Sequence, residues 1–184
     1  TGKTTLLKVM YSLTKPLNEV SRENLTKEME EQYFVKKLQG VFRPDEMKLG
    51  RLVSRKRGNK RTDFSVDLEK KQKVSVGFSR GQTNHADIDI VKSKFVEKYE
   101  AIYIPTKEMI STVEHFVTLY DEYHIDFEEM YYDLAKLLDR PLSKGPNTNE
   151  QNQILSSLED IMRGNIVQKN KKFYFKIKGE GEFE

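Results

Sequence analysis

The residue pattern predicts a mixed α/β chain of α+β character, with helices first, an antiparallel β-meander next, then a helical block and a closing hairpin. Three observations carry this. An apolar run of helical length follows directly on Gly2-Lys3-Thr4-Thr5. Between about residues 61 and 91 apolar and polar side chains alternate with period two, the mark of strands with one wet face. Beyond Pro105 the apolar spacing returns to three and four, the mark of helices.

Taken in order, Leu6, Leu7, Val9, Met10 and Leu13 predict a helix from about Thr4 to Leu13, ended by Pro16 and Asn18. A second helix is expected from about Arg22 to Gln39, through Leu25, Met29, Tyr33 and Leu38, with Gly40 and Pro44 bracketing its end. Thr62, Phe64, Val66 and Leu68 then alternate with Asp63, Ser65, Asp67 and Glu69. Val74, Val76 and Phe78 do so with Ser75, Gly77 and Ser79, and Ile88 and Ile90 with Asp87 and Asp89. Turn-forming residues around Gly58-Asn59, Lys70–Gln72 and Arg80–Asn84 separate the strands. Ala101–Pro105 is apolar on both faces and predicts a central strand of a buried sheet. Thr106 is the expected N-cap of a helix lined by Met109, Ile110, Val113, Phe116, Val117 and Tyr120. Helices over Glu128–Leu138 and Asn149–Met162 follow, the second stopped by Gly164, and residues 166–178 form the hairpin. The expected division is residues 1–105, a P-loop and β lobe; 106–163, a helical lobe; and 164–184, the hairpin.

Composition narrows the function classes. The 184 residues carry 32 Lys and Arg against 29 Asp and Glu, a net charge of +3, which does not by itself call for nucleic acid. There is no cysteine, which excludes a disulfide framework and any thiolate site. No apolar run reaches the roughly 18 residues of a membrane span and no secretory leader is recognisable, so a cytoplasmic protein without membrane contact is expected.

Gly-Lys-[Ser/Thr] at the start of a helix is the closing half of the phosphate-binding loop G-x-x-x-x-G-K-[ST]. Gly2 would let backbone approach a phosphate, Lys3 would reach the β- and γ-phosphates, and the Thr4 hydroxyl would ligate Mg²⁺, with Thr5 beside it. The helix adds free N–H groups and the positive end of its dipole. ATP and Mg²⁺ are therefore the expected cofactors. The loop's first glycine and its feeding strand would precede residue 1, so a piece of a longer protein is expected.

The order of P-loop helix, antiparallel insertion, buried strand and helical block resembles the ATP-binding-cassette-type ATPases, and within them the RecF/SMC/OLD-like branch of AAA family ATPases. The stretch Ile102-Tyr103-Ile104-Pro105-Thr106-Lys107-Glu108-Met109-Ile110-Ser111 resembles a block of that group, as do Phe127–Leu134 and the Leu137–Pro146 segment. The resemblance covers nearly the whole chain, as the N-terminal half of such a head domain. It implies ATP held between two heads, so that a second head is the expected partner, as a homodimer, with DNA or a defence or toxin protein as the cargo of the motion. It also places Lys107 and Glu108 in the Q-loop region, where the family has Gln, with Glu108 a candidate metal contact. No signature motif and no apolar strand ending in Asp-Glu occurs. The resemblance thus implies no catalytic residue in this chain and no hydrolysis by it alone.

Arg51, Arg55, Lys56, Arg57, Lys60 and Arg61 cluster around a Gly-Asn turn. They read either as a nucleic-acid contact centred on Arg55, Lys56 and Arg57, or as a solvated loop whose charges discourage strand-edge pairing. The simpler reading is the second. His85, His115 and His124 lack metal-ligand spacing, and the acids from Asp121 to Asp133 read as a helix-hairpin surface. The alternative to the ATPase is a non-catalytic α+β module that binds nucleic acid through the basic hairpin.

Overall fold

The computed structural model describes residues 2–20, 25–58, 60–68, 72–91, 101–105, 113–140, 145–169, 172–177 and 182–183. The chain is a mixed α/β structure with small antiparallel sheets and divides into two compact units. Residues 1–105 and 127–130 make the first unit, and residues 106–126 and 131–184 the second.

In the first unit, helix α1 runs over Gly2–Val20 and α2 over Lys27–Phe42. Strands β1 (Arg61–Leu68), β2 (Gln72–Ser79) and β3 (Asp87–Val91) form a meander in the order β1-β2-β3. Pairing is antiparallel throughout, with Phe64 opposite Val76 and Val76 opposite Ile88. The alternation turns one face inward. Val74, Val76 and Phe78 are buried with Leu13, Leu17, Val20, Phe34, Val35 and Leu38 of the two helices, and Phe64 meets Phe78 edge to face at 6.0 Å. The meander is the expected one. A helix pair covers its apolar face.

Three expectations fail in this unit. Helix α1 does not stop at Pro16 but passes through it. A proline inside a helix removes one hydrogen bond and crowds the carbonyl four residues back, at about 3 kcal/mol. Leu13, Leu17 and Val20 bury on one face on either side of Pro16, and that packing holds the helix together. Gly40 is not a terminator either. Helix α2 continues to Phe42 and closes on Arg43, in the left-handed conformation at φ 43°, whose N–H donates to the Gln39 carbonyl at 2.8 Å. The amino end is capped by Thr26, which accepts from the Met29 N–H at 3.3 Å.

Ala101–Pro105 is not a sheet strand. It has no regular secondary structure, and Ile102 and Ile104 are 50% and 81% exposed. Two apolar faces bury only when a neighbour lies on each side, and here both isoleucines keep half or more of their surface in water. Tyr103 meets the ring of Tyr11 at 5.8 Å. Thr106 and the expected helix start after it lie outside the described residues.

The second unit holds α3 (Val113–Tyr123), most of α4 (Glu129–Leu138), α5 (Asn149–Met162) and a sheet of β4 (Gly164–Lys169), β5 (Lys172–Ile177) and β6 (Glu182–Phe183). Tyr120 of α3 stacks on Tyr132 of α4 at 4.6 Å, and Lys136 lies over the same ring at 5.0 Å. Helix α5 starts on a capping box. Thr148 accepts from the Gln151 N–H, and the Gln151 side chain accepts from the Thr148 N–H. Arg163, at φ 56°, closes it, so Gly164 opens β4 instead of stopping the helix. The expected apolar face of α5 is present but uncovered: Ile154, Leu155, Leu158, Ile161 and Met162 are all exposed. The expected hairpin gains β6 as a third strand, with Phe175 opposite Phe183. No helix among the described residues is long and apolar enough to cross a membrane.

Candidate functional site

Gly2, Lys3, Thr4 and Thr5 form the first turn of α1. All four are exposed, and the turn carries no acidic residue. A methyl group added at Gly2 would meet nothing within 4 Å, so the approach to the helix end is open. Leu6 and Leu7 beyond them are 61% and 55% exposed, and burial of α1 begins in its second half. The chemistry available at this end is that of an anion site. Free N–H groups, a positive dipole end, one flexible ammonium and two hydroxyls converge there. Glu108 and Lys107 lie outside the described residues. Among the described residues no group of three or more His, Asp or Glu is placed to hold a metal ion.

The basic cluster is built on a different part of the unit. After α2, a turn at Asp45–Met47 and a 3₁₀ turn at Leu49–Leu52 lead to residues 53–60 and then into β1. Gln39 fixes the beginning. Its buried Nε2 donates to the Met47 carbonyl at 2.6 Å and to Asn84 Oδ1 at 2.9 Å. The 3₁₀ turn then locks on the β2–β3 connection, with Leu49 N–H donating to the Thr83 carbonyl at 3.1 Å and Gly50 N–H to the Gln82 carbonyl at 2.9 Å. Any side chain at Gly50 would collide with the backbone of Arg80, so this approach requires glycine. Arg80 braces the segment leading into β1. Its Nη2 donates to the Ser54 carbonyl at 2.6 Å and the Lys56 carbonyl at 3.2 Å, while its N–H donates to the Lys60 carbonyl at 3.0 Å.

Charge is distributed unevenly over this end. Lys48 pairs with Glu46, Arg51 with Asp45 at 3.5 Å, and Arg61 with Asp63 at 2.7 Å and Asp87 at 2.6 Å. The hydrogen bond from Lys48, then its charge, holds the Glu46 carboxyl below the usual glutamate range. Hydrogen bonds to Asp63 and Asp87 raise the Arg61 guanidinium further above its already high value. Arg55, Lys56, Arg57 and Lys60 are exposed and form no ion pair among the described residues.

The remaining candidates separate cleanly. His85 is exposed, its Nδ1 3.3 Å from Glu31 Oε1, and His115 and His124 are exposed as well. Glu128 and Glu129, expected as surface acids, are structural anchors: Glu128 accepts from Lys8 Nζ at 2.5 Å and Glu129 from Lys37 Nζ at 2.6 Å. Arg43 adds a hydrogen bond to the Phe127 carbonyl at 2.9 Å. These contacts bind residues 127–130 to α1 and α2 across more than eighty residues of sequence, a separation that leaves no local signal.

No family model matches this chain, and no curated protein and no solved structure matches it either. The functional reading therefore stands on the residues and their placement.

Proposed function

We propose that this chain is the nucleotide-binding part of an ABC-type, RecF-like ATPase head, in which the first turn of α1 holds the phosphates of Mg-ATP. One observation carries the reading. Gly2-Lys3-Thr4-Thr5, the closing half of a phosphate loop, stands exposed at the amino end of a 19-residue helix whose first turn carries no acidic residue. A helix end of this kind favours an anion through its N–H groups and dipole, and Lys3 adds a mobile cation that reaches past the α-phosphate. Gly2 keeps backbone accessible and Thr4 offers the hydroxyl that such loops present to Mg²⁺. The metal would neutralise charge on the β- and γ-phosphates.

The family resemblance places ATP between two heads, so the proposed partner is a second head of the same kind. Water activation belongs to motifs that this sequence lacks, and the chain alone is accordingly proposed to bind ATP without turning it over. Isothermal titration with Mg-ATP tests the binding. Lys3→Ala is expected to weaken it at least tenfold, and Thr4→Ala to weaken it only when Mg²⁺ is present. An affinity indifferent to Lys3→Ala would overturn the proposal, and turnover abolished by Lys3→Ala would overturn its second half.

A further inference from the structure

We infer that residues 53–58 and 60, with the β2–β3 connection packed against them, are a docking surface for the phosphate backbone of duplex nucleic acid. The inference shares no residue with the proposed ATP site and does not rest on it.

Three features of the loop point the same way. The first is uncompensated charge. Arg55, Lys56, Arg57 and Lys60 fall within six positions and are exposed, while their neighbours Lys48, Arg51 and Arg61 are each matched by a carboxylate. Cations this close lie within one Debye length and repel one another. Nor does edge protection explain them. Along the edge strand β1 itself that task falls to Arg61, Asp63 and Asp67, whereas Arg55, Lys56, Arg57 and Lys60 all precede the strand.

The second feature is preorganisation. Arg80 holds the carbonyls of Ser54 and Lys56 from one side, and Val53 is buried at 2% exposure. The backbone is thereby held before a ligand arrives, and binding has to order the side chains alone.

The third is the shape and lining of the surface. A cleft of about 370 Å³ lies beside the loop, lined by Lys48, Arg51, Arg55 and Arg80 together with the polar Gln82 and Thr83, and by no carboxylate. It also has no aromatic residue. Single strands are held by stacking bases on aromatic rings, so this lining suits a partner whose bases are already stacked on one another. The unmatched cations are concentrated at this end. On the outer face of the meander Asp63 and Asp87 share Arg61, and Asp67 lies 3.6 Å from Lys73, so that face offers a polyanion no such excess.

Fluorescence anisotropy with a labelled 20-base-pair duplex, and with one of its strands alone, tests this between 50 and 200 mM KCl. Four phosphate contacts predict a salt slope of about −3.6, hence an affinity falling about 150-fold over that range. The triple variant Arg55→Ala/Lys56→Ala/Arg57→Ala should reduce the slope to about −0.9 and the loss to about 3-fold. Its substitutions are all on exposed side chains, so circular dichroism should match the wild type. Lys27→Ala/Lys36→Ala, on exposed positions of α2, should leave the slope unchanged, as should Lys3→Ala. An unaltered slope in the triple variant overturns the inference. So does an equal effect of the α2 variant, or single-strand binding as tight as duplex binding.

Discussion

Gly40→Ala should destabilise this protein, although the same exchange stabilises most helices. In a helix interior alanine is favoured over glycine by about 1 kcal/mol. Gly40 lies inside α2, where a Cβ would overlap the Glu129 carboxylate and come within 2.8 Å of its Cδ and 2.9 Å of its Cβ. A clash confined to the carboxylate could be relieved by a side-chain rotation. Contact with Cβ requires the backbone of residues 127–130 to move as well. That movement pulls Glu129 from Lys37, whose ammonium is 2.6 Å away on a side chain only 8% exposed. Stranding one member of a buried pair costs about 3–5 kcal/mol. With Glu129 still 25% exposed, about 2 kcal/mol is the appropriate figure. The net expectation is a loss of about 1 kcal/mol. In a Glu129→Gly background the carboxylate, the Cδ and the Cβ are all gone, and Gly40→Ala should then stabilise by about 1 kcal/mol. Urea titration followed by circular dichroism, with hydrogen exchange of the α2 amides in parallel, reads both backgrounds. Stabilisation in the wild-type background would refute the reasoning, and so would the same sign in both.

Three further outcomes are expected from the geometry. Phe78→Ala removes a ring 1% exposed that meets Phe64 edge to face, and should lower stability by about 3–5 kcal/mol in the same urea titration. Thr148→Ala removes one half of the α5 capping box and should cost that helix about 1 kcal/mol, visible as faster exchange of its first-turn amides and not in the first unit. Glu46 is depressed by Lys48, so its contribution is present above the ordinary glutamate pKa and is lost as pH falls through its lowered value. An NMR titration should place its midpoint below that of an unstructured glutamate, and Lys48→Met should return it most of the way.

What the sequence disclosed depended on the range of the interaction. The meander was legible because period two is a local signal, and each of Phe64, Val66, Val74, Val76, Phe78, Ile88 and Ile90 falls on the inner face. Helix α5 was legible to its bounds because its apolar spacing is a local signal, although Arg163 and not Gly164 closes it. Pro16 misled because the packing of Leu13, Leu17 and Val20 that overrides it comes from other elements. Ala101–Pro105 misled because a two-sided apolar pattern states a need for cover and not the presence of it. At the sites, the residue types at Gly2–Thr5 and Arg55–Arg57 were visible in the chain. The arginine that braces the basic loop, and the lysines that make anchors of Glu128 and Glu129, were not, since twenty-four to one hundred and twenty positions separate each pair.

Gln39 has a consequence for how this protein ages. Its side-chain nitrogen faces acceptors only, the Met47 carbonyl and Asn84 Oδ1 among them, and it steadies a turn in which Glu46 and Met47 both hold positive φ. Deamidation would replace that nitrogen by oxygen with hardly any change of volume, and would set a lone pair against each of those oxygens. Slow chemical conversion of one buried amide would therefore loosen the turn at Asp45–Met47, while the Leu49 and Gly50 bonds and the Arg80 brace beyond it stayed as they were.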